Sequence, residues 1–257
     1  MAGSVAWITI APVKALGLQS LDSAELSRDG IRGDRRFFLI DDESRLVNGK
    51  LIGPLVQVTP AFDEGTRRLE LAMPDGSTVG GVVERGAEIS ASFWKIELDA
   101  HEVVGPWSEA LSDLAGRRLR LVERDRPAVD RGPAAAASLL STASLARLAE
   151  ALGVDRVDGR RFRMQFGIDG VEANAEDAWI DHKVRLGDAV VVPKGNVGRC
   201  AVTTQDPDTG VPDLDTLRAL GTYRGDVETT EPLPLGIYAF VAEPGTVRLG
   251  DPVEPLA

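Results

Sequence analysis

Short runs rich in Val, Ile, Leu and Phe recur along the chain, and Gly and Pro interrupt them about every ten residues. β-branched and aromatic side chains suit a half-buried pleated surface, so this rhythm predicts strands joined by turns. Strands are expected at 5–10, 36–40, 69–72, 95–99, 119–123, 190–193, 201–204 and 237–241. Helical spacing is scarce. The clearest case is 141–152, where Leu145, Leu148, Ala149 and Leu152 fall on one stripe and Gly153 ends the pattern. A shorter helix is expected at 107–114, with Leu111 and Leu114 inward and Gly116 as its end, and a third at 215–220.

The segment Val-Arg-Leu-Gly-Asp stands at 184–188 and again at 247–251. Five residues are too few for a repeat, so the echo predicts two similar strand-to-turn corners in one barrel. The stretch 125–133 is rich in Pro and charge, and alanine follows it. The expected organisation is therefore a β-rich N-terminal domain at 1–125 and a β-barrel with a leading helix at 126–257. The fold class is mainly β with a few helices (α+β).

A chain of 257 residues, 43% of them hydrophobic, can bury a full core. Residues 1–12 lack the basic start of a signal peptide and read as a first strand. The longest uncharged run, 132–146, is too short to span a bilayer as a helix. The single cysteine forbids both an internal disulfide framework and an iron–sulfur cluster, and a free thiol suits the cytoplasm. A net charge of −11 argues against nucleic acid or an anionic membrane as the main partner.

On that acidic background the basic clusters carry information. Lys14 follows 11–13, Arg32, Arg35 and Arg36 follow the Gly30 turn, and Arg160, Arg161 and Arg163 form a second group. Guanidinium groups at strand ends have the planar geometry a phosphate needs, or else they are solvated and paired with nearby acids. Cys200 sits between Arg199 and Ala201, in a turn entering the expected 201–204 strand. A thiolate there is a soft ligand for a transition metal, ionised with the help of Arg199; the alternative is a small buried hydrophobe. Residues 206–210 (Asp-Pro-Asp-Thr-Gly) read as an Asx turn, since Leu217 stands where a calcium loop needs glutamate.

Several chemistries are excluded. His101-Glu102 opens like a zinc-protease helix, but Gly105 replaces the second histidine, and only His182 remains to help build a zinc site. No nucleophile elbow or dinucleotide fingerprint occurs, and Leu51 follows Gly49-Lys50 where a phosphate loop needs a hydroxyl.

Three stretches in order resemble the MOSC family, which includes the amidoxime-reducing proteins and the C-terminal domain of molybdenum cofactor sulfurases. The first is 11–14 with 30–37; the second is 161–163 with Gly170 and 176–179; the third runs from Arg199-Cys200 through 203–210 to 216–218 and 223–224. The resemblance implies an N-terminal β-barrel domain followed by a MOSC β-barrel. It implies the molybdenum cofactor (Mo-molybdopterin), with Cys200 as metal ligand and Lys14, Arg35, Arg36, Ser141, Arg163, Gln165 and Arg199 about the pterin and its phosphate. Thr203 and Asp206 would orient water or a proton donor beside the catalytic Cys200. The implied activity is reduction of N-hydroxylated or N-oxide compounds with electrons from a separate electron-transfer protein. The chain departs from the amidoxime-reducing pattern at Ala15, at Met164-Gln165 and at Gly198, which keeps open a second reading as a non-redox sulfur or cofactor carrier using Cys200.

Overall fold

A computed structural model describes residues 2–126 and 132–256 of the protein. Its centre is a closed barrel whose circuit runs Phe166–Asp169, Ala137–Ser141, Pro234–Glu243, Ala189–Gly198, Val184–Leu186, Pro252–Pro255, Gly3–Ile10 and back to Phe166–Asp169. The first strand thus completes the ring made by the second half of the chain. Closure leaves no unpaired barrel edge. Val5, Ile8, Phe166, Ile168, Val191 and Ile237 fill the interior. One departure from regular pairing matters for the site. The register slips between Val5 and Trp7, and a Cβ on Gly167 would lie 2.0 Å from the Trp7 ring, so only glycine lets the indole cross this strand. Trp7 Nε1 and Thr9 Oγ1 then donate to the Met164 carbonyl at 3.3 and 2.8 Å, fixing the 163–165 segment against the barrel.

The remaining strands form smaller sheets. A five-stranded sheet orders Glu84–Phe93, Ile96–Val104, Arg120–Glu123, Phe37–Ile40 and Leu46–Val47. A three-stranded sheet of Thr59–Asp63, Arg68–Ala72 and Thr78–Val82 packs on the same core with helix α1 (Trp107–Ala115), burying Phe37, Leu69, Leu71, Trp107 and Leu111. Helix α2 (Thr142–Leu152) starts where Ser141 accepts from Ser144 N and stops at Gly153, φ +69°. Helix α3 (Thr216–Tyr223) is capped by Asp215. The described residues are mainly strand, as the pattern of the sequence predicts, and all three expected helices are present.

Two expectations are corrected. Residues Ala201–Thr204 form a 3-10 helix rather than a strand. Thr203 and Thr204 return their hydroxyls to the carbonyls of Cys200 and Ala201 at 3.0 and 2.7 Å, which curls the backbone that β-branched composition would extend. The second copy of the repeated pentapeptide lies outside the barrel: Gly245–Arg248 pairs with Ser23–Ser27 in a separate three-stranded sheet. The two copies nevertheless meet, since Asp188 N donates to Thr246 O at 3.0 Å and Arg248 lies 3.1 Å from the Asp188 carboxylate.

Two loops join the halves of the chain through glutamine side chains that donate to backbone carbonyls. Gln205 Nε2 donates to Gly49 O at 3.0 Å and Gln57 Nε2 to Thr209 O at 3.3 Å. Between them a Cβ on Gly210, φ +74°, would come within 2.0 Å of Gly53 O. Gly210→Ala is therefore expected to part these loops and to cost more than about 2 kcal/mol. Gly76→Ala, also at positive φ but facing open space, is the control and should cost about 1 kcal/mol. Equal losses for the two variants in denaturant titration would refute the contact's role.

Candidate functional site

A cavity of about 340 Å3 opens between the joined loops, the hairpin at 93–96 and the 161–165 segment. Six cationic residues line it: Lys14, Lys50, Arg35, Arg161, Arg163 and Arg199. No carboxylate does so among the described residues. In a chain of net charge −11 this concentration of positive charge favours an anion, with Arg161 already paired to the Asp213 carboxylate at 2.6 Å.

The floor is organised by Asp34, which is 2% exposed. It accepts from Ala11 N at 2.8 Å, from Gln165 Nε2 at 2.9 Å, and from the Arg35 guanidinium. Gln165 is held further by Ser138, whose hydroxyl donates to Oε1 at 3.1 Å. Arg35 (φ +48°) leaves the strand path through a left-handed turn and donates from Nη2 to Arg163 O at 3.3 Å. Arg163 follows the 3-10 helix Gly159–Phe162 and is itself left-handed, φ +54°.

The Arg163 Nη2 is buried and has no hydrogen-bond partner among the described residues. Burial, and next the charge of Arg35, push its pKa down to about 10 against the pull of Asp34. A guanidinium left unsatisfied beside a second cation calls for an anion. Arg163→Met is accordingly expected to stabilise the ligand-free protein by about 1 kcal/mol, because it removes a desolvated charge. A fall in thermal midpoint for that variant would show the guanidinium to be structural.

Cys200 is exposed and lines the cavity, so it is not a buried hydrophobe. It occupies the N-cap of the 3-10 helix but its side chain makes no capping bond. Thr203, 4% exposed, holds the Cys200 carbonyl through both its N–H and its hydroxyl, each at 3.0 Å. Its hydroxyl also meets Thr216 Oγ1 at 2.8 Å. Thr203 therefore positions the thiol's backbone. Arg199 lines the cavity, but its guanidinium turns to the carbonyls of Leu235 and Phe162 at 2.9 and 3.0 Å and to Met164 Sδ at 3.1 Å. It braces the 162–164 segment instead of facing the neighbouring thiol. Lys14 Nζ lies 5.3 Å from the Phe93 ring and 5.9 Å from that of Trp94.

Three residues expected at the site stand elsewhere. Arg36, on the opposite side of the chain from Arg35, donates to Glu123 Oε1 and Asp125 O at 2.9 Å each. Ser141 is buried as the cap of α2, within 2.6 Å of Ser144 Oγ. Asp206 closes its Asx turn by accepting from Asp208 N, Thr209 N and Thr209 Oγ1, and is not among the lining residues. Lys50 and Trp94, by contrast, line the cavity without having been singled out for it by the sequence. Leu51 denies Gly49-Lys50 a phosphate-loop motif, and the hairpin tip at Trp94 carries no motif at all.

Among the described residues no group of three or more His, Cys, Asp or Glu could hold a metal ion, so a metal at Cys200 would need ligands from outside the chain. No helix among those residues is long and apolar enough to cross a membrane. The model of the MOSC domain matches residues 127–254, and that of the MOSC N-terminal beta barrel domain matches residues 2–118. The mitochondrial amidoxime-reducing component 1 of Mus musculus is 29% identical over 283 residues, spanning 98% of this chain and 82% of that protein. Its Homo sapiens counterpart is 29% identical over 288 residues with the same coverage. The YUAD protein from Bacillus subtilis has a similar chain trace, with a TM-score of 0.44 and 13% identity over 98% of this chain and 94% of that one.

Proposed function

Since the chain belongs to the family built from a MOSC N-terminal β-barrel domain and a MOSC domain, we propose that it binds the molybdenum cofactor between its halves and reduces N-hydroxylated or N-oxide compounds. The observation that carries this reading is the presence of an exposed thiol, Cys200, and the unpartnered Nη2 of Arg163 in one cavity whose charged lining residues are all cationic. The cofactor is a phosphorylated pterin carrying a metal, so it needs a soft ligand at one end and positive charge at the other. The donor set fits both demands.

In this reading Cys200 supplies the protein thiolate to the metal. Arg163 and Arg35 neutralise the phosphate, with Lys14 beside them. Gln165, whose amide is engaged by Asp34 and Ser138, acts by fixing Asp34 and hence Arg35. Thr203 holds the loop that presents the thiol. The bound cofactor would supply a metal able to pass two electrons and take an oxygen atom from the substrate. With one cysteine the chain cannot build an iron–sulfur relay, so the electrons come from a separate redox protein. A single free thiol suits a reducing compartment, which supports a cytoplasmic location.

The test is expression in a cofactor-producing host, followed by elemental analysis and benzamidoxime reduction with a chemical electron donor. Stoichiometric molybdenum and turnover are expected. A well-folded sample lacking both removes the proposal, and a sulfur mass increment on Cys200 without metal would favour the carrier reading in its place.

A further inference from the structure

The mouth of the cavity carries chemistry that the cofactor reading leaves unused. Phe93 pairs with Ile96 across a hairpin, so Trp94 and Lys95 are its only connecting residues. Trp94 takes φ +60° at the first of these two positions. Positive φ there favours glycine, and a bulky aromatic in it is strained. The ring is 50% exposed, so burial does not account for its presence. It lines the cavity instead. Lys50, exposed on the joined 48–53 loop, sets its ammonium 5.9 Å from the centre of the same ring, and no carboxylate lies within ion-pairing range of it among the described residues.

We infer that Trp94 and Lys50 form a subsite at the mouth of this cavity that selects a planar ring bearing an anionic group. The ring lies against the indole, and the anion is drawn to the Lys50 ammonium. The charged residues of the lining, all cationic, add to the preference, because they raise the local concentration of anions and repel a positively charged analogue. The inference rests on the reductase reading for the identity of the reacting group, but the selection itself is a property of these side chains.

The test is isothermal titration of 4-carboxybenzamidoxime, unsubstituted benzamidoxime and 4-(aminomethyl)benzamidoxime into the wild-type protein, Lys50→Glu and Trp94→Gly, beside the reduction assay. The carboxylated compound should bind wild type about fivefold more tightly than the unsubstituted one, the size expected of one exposed charge pair, with the ammonium compound weakest. Lys50→Glu should reverse that order. Trp94→Gly should weaken the neutral compound about fivefold without lowering the thermal midpoint, since glycine relieves the strained turn. A destabilised Trp94→Gly with unchanged binding would make the indole structural and overturn the inference, as would a wild type indifferent to substituent charge. Charge selection without turnover would uphold the subsite and reject the reductase, while turnover without charge selection would do the reverse.

Discussion

Glu123→Gln is expected to lower the free energy of unfolding at neutral pH by about 3–5 kcal/mol, the range for breaking a buried ion pair by removing one partner. Glu123 is 0% exposed and is gripped by three guanidinium groups. Oε1 accepts from Arg36 Nε at 2.9 Å and Arg67 Nη1 at 3.0 Å, while Oε2 accepts from Arg67 Nη2 and Arg85 Nε at 2.9 Å each. The cluster joins segments that are distant in sequence, and the amide would leave three cations with no counter-charge at their centre. Burial alone would push the Glu123 carboxyl up; the hydrogen bonds from Arg67, Arg85 and Arg36 overcome this and hold it at about 2 instead of 4.5.

The sign of the pH dependence follows. The folded value lies below the unfolded one, so the stabilisation is complete above pH 4.5 and is lost as pH falls toward 2. A shift of that size corresponds to about 3 kcal/mol, which agrees with the range for the substitution. Urea titrations of wild type and variant should therefore converge across that window. Parallel curves throughout would show that the carboxylate's charge contributes little.

The second large effect is expected at Cys200. Cys200→Ser should abolish stoichiometric molybdenum and reduce amidoxime turnover by more than about a hundredfold, beyond the loss that follows removal of an outer-shell partner. A hydroxyl is harder than a thiolate and stays protonated at neutral pH, so it does not replace the soft anionic ligand. The side chain makes no capping bond and is exposed, so folding should be untouched. An unchanged thermal midpoint with metal and activity lost is the expected pattern. Full metal content and turnover in the variant would remove Cys200 from the chemistry.

Much of the strand inventory was legible because burial imposes a local pattern on each segment. The seven expected strands other than 201–204 all overlap observed ones. Residues 201–204 misled because threonine's β-branch and its hydroxyl pull in opposite directions, and here the hydroxyl bonds decide the backbone. Of the residues expected at the site, Lys14, Arg35, Arg163, Gln165, Arg199, Cys200 and Thr203 line one cavity, whereas Arg36, Ser141 and Asp206 do not. Adjacent arginines diverge when one takes a left-handed turn, and spacing alone does not show which one turns. Trp94 and Lys50 were invisible for a different reason. Each belongs to a loop whose position is set by pairings elsewhere, Phe93 with Ile96 and Gln205 with Gly49. The role of Glu123 was equally hidden, because its partners lie 38 to 87 residues away.

Ring closure by the strand nearest the N-terminus has a consequence for biosynthesis. Gly3–Ile10 is synthesised before its neighbours Phe166–Asp169 and Pro252–Pro255, which follow far later in the chain. Until then the edges of this apolar segment that those strands cover remain unpaired, and it docks on them only once they have emerged. Assembly of the cationic cavity, whose floor hangs from Ala11 and Thr9, is thereby deferred until those later strands have been made.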